Sequence, residues 1–261
     1  MPNFTDEEKL SYIAAHQTDG RLFEDIITCM YRNICGEGDH VIDAGANHGH
    51  HTFQLSNLVG PTGQVVAVEP IPALADAIDE TMRKYVLTNI DLVVSALSDR
   101  RGIAEFFFRR DMDGWSSLFS RHVPPKTDAR NISRFFTPLI LLDDLMDIVT
   151  DTKFIKLDLE LNEYHAICGA LKLLERDKPF LVFENARQHA ANIAGYSRQD
   201  FFGLFDKAGY ALFDIFLDPF TEDRWQGDPT MPVYNVAVPQ STIGDLHSLP
   251  IRDFFSSSMV R

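Results

Sequence analysis

Short runs of apolar, largely β-branched residues alternate along this chain with stretches whose apolar positions recur every three to four residues. Leu22, Phe23, Ile26, Ile27 and Met30 form one such stripe, so residues 6–34 are expected to hold one or two leading helices, with Asp6 capping the first. A first core strand is expected at His40–Asp43, after the turn Gly36-Glu37-Gly38-Asp39. A helix from about His50 to Leu58 follows and stops near Gly60-Pro61. Gly63–Pro70 reads as the second strand, and Leu74, Ile78, Met82 and Tyr85 mark the buried face of a helix from Ala73 to about Leu87. Asp91–Ala96 is the third strand, and the chain beyond Gly102 is expected to add a hairpin or loop rather than a core helix. The fourth and fifth strands are Phe154–Asp158 and Phe180–Glu184, with a helix over about Glu163 to Glu175 between them. Ser197 caps a helix over Arg198–Ala208, and strands near Tyr210–Ile215 and Val233–Val238 close the pattern.

Five β/α units closed by a strand pair predict an α/β fold, a doubly wound, Rossmann-like, seven-stranded and mostly parallel sheet with an N-terminal helical extension. The expected division is a helical extension over 1–35, the α/β domain over 36–240 and a tail over 241–261. No repeat or low-complexity tract interrupts it.

Composition narrows the partners more than the fold. Asp and Glu outnumber Lys and Arg 38 to 24, for a net charge of -14. A binder of extended polyphosphates needs clustered cations to release counterions, so no nucleic-acid partner is expected. No apolar run approaches the ~20 residues that span a bilayer, and the acidic start Asp6-Glu7-Glu8 lacks the basic-then-apolar order of a secretory signal. Cys29, Cys35 and Cys168 are odd in number and have no metal or disulfide spacing. A cytoplasmic protein with reduced thiols is expected, without a membrane span. The 20 Phe, many in adjacent pairs and triplets, are core residues or contacts of a homodimer.

Ligands of doubly wound sheets bind beyond the carboxyl ends of the strands, where strand order reverses. The residues that end the strands are Asp43, Glu69, the Ser95-Ala96-Leu97 segment, Asp158 and Glu184. The turn Asp43-Ala44-Gly45-Ala46-Asn47-His48-Gly49 runs into a helix N-terminus, whose free amides and positive dipole end favour an anion such as the methionyl carboxylate of S-adenosylmethionine. Its glycines are spaced G-x-x-x-G and not G-x-G-x-x-G, which disfavours a nicotinamide-dependent oxidoreductase. Glu69 ends the next strand, where a carboxylate accepts both ribose hydroxyl hydrogens. Ser95, Ala96 and Leu97 suit an adenine slot, and Asp158 supplies negative charge for a sulfonium. The candidate cofactor-binding set is therefore Asp43, Gly45, Ala46, Asn47, Gly49, Thr52, Glu69, Pro70, Ser95, Ala96, Leu97 and Asp158.

Four segments then carry a family resemblance: Gly38–Gly49, Val68-Glu69-Pro70, Ala96-Leu97-Ser98-Asp99 with Gly102, and Phe154–Glu160. Gly169-Ala170 ahead of Pro179 and Glu184, and Leu141–Leu145 ahead of the fourth strand, extend it. Over about residues 36–240 the sequence resembles the FkbM-type methyltransferases. The resemblance implies a class I methyltransferase fold, S-adenosylmethionine as methyl donor, and O-methylation of a hydroxyl on a small molecule, sugar or glycan. Two positions depart from the family pattern. His50-His51 stand where aromatic residues are usual, and Leu161 replaces the glycine of the fourth-strand motif. Leucine does not readily adopt positive φ, so the loop carrying Glu160 and Glu163 is expected to change shape. That departure motivates the alternative of a non-catalytic cofactor-binding module.

Methyl transfer needs an aligned nucleophile and a proton acceptor. The candidates are Asp158 facing the cofactor, Glu160 and Glu163 facing the acceptor, and Lys156, two residues before Asp158 on the same strand face, orienting a carboxylate. A structural ion pair for Lys156 and Glu160, and a first-turn helix acid for Glu163, are the competing roles. His48, His50 and His51 are read as packing beside the cofactor, ahead of a base in the acceptor pocket. No metal is expected, the alternative being Mg²⁺ on Asp158, Glu184 and Asn185. The segment Arg109–Ser117 is an insertion near the expected substrate entrance, where Trp115 and two arginines would grip a sugar face or an anion, or simply anchor a surface loop.

Overall fold

The computed structural model describes residues 4–19, 21–120, 128–226, 228 and 230–258. Two helices lead, α1 (Asp6–Asp19) and α2 (Leu22–Ile34). The core then alternates β1 (His40–Ala44), α3 (His50–Val59), β2 (Gln64–Val68), α4 (Pro72–Tyr85) and β3 (Ile90–Val93). After β4 (Ala96–Leu97) comes the hairpin β5 (Gly102–Arg109) and β6 (Ile132–Ile140). The core resumes with β7 (Thr152–Leu157), α5 (Glu163–Cys168), α6 (Leu171–Asp177), β8 (Phe180–Glu184), α7 (Gln188–Ala194), α8 (Arg198–Ala208), β9 (Tyr210–Asp214) and β10 (Tyr234–Pro239). Two short helices end it, α9 (Ile243–Leu246) and α10 (Ile251–Ser258).

Seven strands form one sheet in the order β3-β2-β1-β7-β8-β10-β9. All are parallel except β10, which runs against both β8 and β9. This is the expected doubly wound fold. The order reverses at β1, which has β2 on one side and β7 on the other, so the ends of these three strands meet at the switch point.

Alternation along the strands feeds two cores. Val41, Val65, Phe154 and Val182 face a layer built from α2, α3 and α10, while Ile42, Val66, Ile155 and Leu181 face one built from α5, α6 and α8. The leading helices and the tail share the first core. Phe4, Tyr12, Phe23, Phe216 and Phe255 meet there with ring centroids 4.4–6.2 Å apart. Among the described residues no helix is long and apolar enough to cross a membrane.

Local chemistry explains the differences from the expected elements. Thr5 and not Asp6 caps α1, because the Thr5 Oγ1 accepts the Glu8 amide (3.2 Å) and Glu8 accepts the Thr5 amide (2.7 Å) in a reciprocal box. Ser197 and Asp200 form the same box at α8, as its sequence predicts. The helix expected over Glu163–Glu175 breaks into α5 and α6 at Gly169-Ala170, where a Cβ on Gly169 would fall 2.3 Å from the Ser98 carbonyl. The third strand leaves the main sheet after Val93, and Ala96-Leu97 pair with Leu139-Ile140 in a second sheet of order β4-β6-β5. Helix α7, built on Gln188-His189-Ala190-Ala191, was not among the expected elements.

Candidate functional site

The ends of β1, β2 and β7 and the start of α5 enclose a cavity whose far wall is the inserted hairpin. It is lined by Gly45, Asn47, Glu69, Pro70, Ser95, Ala96, Leu97, Asp158 and Glu160 among the residues selected from sequence. The other selected residues stand behind this wall. Asp43 is fully buried and accepts the Thr52 hydroxyl (2.6 Å), so Thr52 supports the strand end and does not face the cavity. Ala46, Gly49, Lys156 and Glu163 also lie outside the lining.

Gly45 has φ +82°, and a Cβ there would fall 1.9 Å from the Asp158 carbonyl oxygen. The glycine is therefore required by the adjoining strand end, which lets β1 and β7 close on one another. Gly49 caps α3 at φ +81°, with the Phe53 ring 2.5 Å from where its Cβ would be. The first bond of the α3 turn runs from the Phe53 amide to the Gly49 carbonyl, and the amides just before it have no partner within the helix.

Glu69 is 3% exposed. Its Oε2 accepts the Asn47 amide and its Oε1 the Ile71 amide, both at 2.8 Å. One carboxylate thus ties the glycine turn to the start of α4, and each oxygen keeps a second lone pair. Burial pushes its pKa up to about 7, against the pull of the two amides.

The β7 end is more strongly charged. Lys156 is buried, its Nζ 3.5 Å from Asp158 Oδ2 and 3.9 Å from Asp43 Oδ1. Burial alone would favour the neutral amine, but Asp158, Asp43 and Glu24 outweigh it and raise the Lys156 pKa. Glu24 comes from α2 and accepts His51 Nε2–H (2.6 Å) and the Tyr234 hydroxyl (2.8 Å). Burial opposes its charge, yet His51 and Lys156 hold it down to about 2. On the open side, one oxygen each of Asp158, Glu160 and Glu184 lie within 4.8 Å of one another. Burial and the neighbouring carboxylates push Glu160 up to about 9 and Glu184 well above its ordinary value. Such a cluster stays compact by holding protons or a small cation, and here the Lys156 ammonium beside Asp158 offsets part of its charge. Glu163 is buried and pushed up to about 8, and it accepts the Leu159 amide (2.5 Å). It braces the loop instead of facing the cavity.

Leu161 does not exclude a left-handed turn in that loop. Glu160 and Leu161 adopt φ of +52° and +81°, so the leucine takes the left-handed conformation that a glycine would take freely. Such strain costs on the order of 1–3 kcal/mol per residue. Leu161 is 6% exposed, so Leu161→Gly and Leu161→Ala lose the same buried contacts while only alanine keeps a Cβ at positive φ. Leu161→Gly is therefore expected to be the more stable of the two by about 1 kcal/mol. Urea unfolding midpoints check this, and equal or reversed midpoints would count against strain in the loop.

The histidines go separate ways. His48 Nε2 donates to Asp113 Oδ2 (2.7 Å), His51 is held between Glu24 and the Tyr31 hydroxyl, and His50 meets Gln54 on the surface. No histidine belongs to the one cluster of convergent ligand-type side chains among the described residues. Trp115 is 44% exposed, with the Arg109 guanidinium 5.9 Å from its ring, and neither lines the cavity.

Phe106, Asp113, Gly114, Ser116 and Leu118 of the insertion, with Val68, Ile71, Leu159 and Asn162, complete the lining and were not selected from sequence. Ile71 and Phe106 share a small apolar cluster, with Leu118 packed against it. Of these, Asp113, Gly114 and Ser116 lie in the Arg109–Ser117 insertion expected near substrate entry, Val68 and Leu159 lie in segments that carry the family resemblance, and Phe106 belongs to a phenylalanine run expected in the core or a dimer contact.

Residues 43–212 match the family described as the methyltransferase FkbM domain. The chain belongs to this family. Its matched span starts at Asp43, at the end of β1, and ends at Leu212 in β9, so it contains every cavity-lining residue. Among curated proteins, the FkbM chain is 37% identical over 57 residues to a protein-L-isoaspartate O-methyltransferase of Methanococcus aeolicus, covering 22% of this chain and 26% of that one. It thus spans about a quarter of the length of the curated relatives it matches. Among solved structures, it is similar to the FkbM methyltransferase of Methylobacillus flagellatus. That pair shows 16% identity over 78% of this chain and 44% of the other, with a TM-score of 0.46. A SAM-dependent methyltransferase of Aquifex aeolicus shows 15% identity over 90% and 97%, with a TM-score of 0.43.

Proposed function

We propose that this chain is an S-adenosylmethionine-dependent methyltransferase that methylates a hydroxyl of a small molecule, sugar or glycan. The observation that carries the cofactor is Glu69. Its buried carboxylate lines the cavity at the end of β2, already oriented by two backbone amides and with lone pairs left for two ribose hydroxyls. Ala96, Leu97, Ile71 and Phe106 offer apolar surface for adenine. When bound, the cofactor supplies an electrophilic methyl group on a sulfonium.

The chain's own residues then have to orient the acceptor and take its proton. Asp158 is the proton acceptor in this proposal, held by the Lys156 ammonium. Glu160, protonated at neutral pH by its raised pKa, donates a hydrogen bond to the acceptor oxygen. The net charge of -14 and the carboxyl-rich end of the cavity favour a neutral polyhydroxylated acceptor over a polyanion. Leu161 favours a non-catalytic module, but the loop adopts a left-handed turn at this residue and presents Glu160 to the cavity, which favours the catalytic reading.

Calorimetric titration of S-adenosylhomocysteine, followed by labelled methyl transfer to a panel of hydroxylated small molecules and glycans, tests the proposal. Binding with transfer to a hydroxyl supports it. No binding to folded protein overturns the cofactor, and transfer to amines alone overturns the hydroxyl acceptor.

A further inference from the structure

We propose that Ser117, on the inserted segment, is a positioning residue that holds Glu160 at the cavity wall, an inference that rests on the cofactor reading above. Ser117 is fully buried. Its hydroxyl donates to the Glu160 carbonyl (2.6 Å) and accepts the Phe119 amide (3.2 Å). Its backbone exchanges two hydrogen bonds with Phe107, at 2.9 and 3.1 Å, which fix it to β5.

Its two neighbours do something different. Ser116 and Leu118 line the cavity, while Ser117 reaches the acidic loop, so three consecutive residues serve both the cavity wall and that loop. Other anchors of the loop include the Glu163 carboxyl on the Leu159 amide and the Asn162 amide on the Leu97 carbonyl (2.6 Å). Both lie outside the left-handed pair Glu160-Leu161. The Ser117 hydrogen bond acts on that pair directly, at the Glu160 carbonyl. Removing it lets the strained residues relax and swings Glu160 off the wall. The inserted hairpin therefore sets the acidic end of the site as well as covering the apolar end.

The test exploits charge. Asp158 and Lys156 at the β7 end, Glu184 at the β8 end and Glu163 on α5 all face the Glu160 carboxyl. As Glu160 ionises towards pH 9 it attracts a sulfonium, whereas it does not distinguish the neutral thioether of S-adenosylhomocysteine. Calorimetric affinities for S-adenosylmethionine and S-adenosylhomocysteine are measured on the full chain from pH 7 to pH 9.5. The wild-type preference for the sulfonium is expected to rise with pH, and that of Glu160→Gln to stay flat. Ser117→Ala is expected to keep S-adenosylhomocysteine affinity within about twofold and to lose about five- to tenfold of the alkaline preference. The double variant should match Glu160→Gln alone. Ser117→Cys, with similar volume and a weak donor, gives the same readout if the alanine variant does not fold. Equal weakening of both ligands, or additive losses in the double variant, overturns the role of Ser117. A wild-type protein that binds neither ligand overturns the cofactor reading and this proposal together.

Discussion

Replacement of Glu69 by alanine is expected to weaken S-adenosylhomocysteine binding by about two to four orders of magnitude. A carboxylate that accepts two ribose hydroxyls makes two charge-assisted hydrogen bonds, each worth roughly 1.5–3 kcal/mol, and every 1.4 kcal/mol is about tenfold in affinity. Alanine also removes the partner of the Asn47 and Ile71 amides, which loosens the glycine turn and the start of α4 together. The pH dependence has a definite sign. Ribose hydroxyls donate to the ionised carboxylate, and burial sets the free protein's pKa at about 7. Affinity should therefore rise with pH below about 7 and level off above it, with binding about tenfold tighter at pH 8 than at pH 6. Glu69→Gln should abolish that slope. Titrations across this range with the wild type and both variants decide the matter, and a Glu69→Ala protein that binds within fivefold of the wild type would remove Glu69 from the ribose site.

Gly45→Ala is expected to be the most damaging single-atom change near the site. Its Cβ would lie 1.9 Å from the Asp158 carbonyl oxygen, and the residue sits at φ +82°. The left-handed conformation costs alanine roughly 1–2 kcal/mol, and forcing apart the ends of β1 and β7 adds about 1–3 kcal/mol as for other overpacked sites. For a chain of this size a loss of about 2–5 kcal/mol lowers the melting temperature by roughly 10 °C. Gly203→Ala is the control. It lies within α8 at negative φ with nothing within 4 Å of the added Cβ, and it should stabilise by about 0.5–1 kcal/mol. Thermal melts of the two variants should move in opposite directions. A Gly45→Ala protein that melts with the wild type would show that β1 and β7 need not touch at this point.

The parts of the site legible in sequence are those whose chemistry follows from strand ends and the turn after the first strand. Glu69 and Asp158 could be found because they terminate apolar runs, and the carboxyl end of a parallel strand is where a doubly wound sheet opens. Thr52 and Glu163 were selected for the same neighbourhood, yet both turn inwards, Thr52 onto Asp43 and Glu163 onto the Leu159 amide. Local spacing does not say which way a side chain turns once helices pack over it. Phe106, Asp113, Ser116 and Leu118 were out of reach for another reason. They enter the cavity from a hairpin whose register pairs Gly102 with Leu139 and Arg109 with Ile132, contacts separated by dozens of residues.

Sequence alone determined the layering of this protein. The alternation of β-branched runs with helical stripes leads to seven strands and their helices, because each period leaves one face apolar and only a covered, mostly parallel sheet buries them all. Tertiary structure decided everything that depends on two distant segments meeting. It made Gly45 obligatory through the Asp158 carbonyl and brought Glu24 of α2 to Lys156 and Tyr234. It also holds Leu161 in a left-handed turn that its side chain resists. At Leu161 a local preference of about 1–3 kcal/mol is outweighed by the packing and hydrogen bonds of the surrounding fold, and in all three cases the deciding contacts are not written in any one window of the chain.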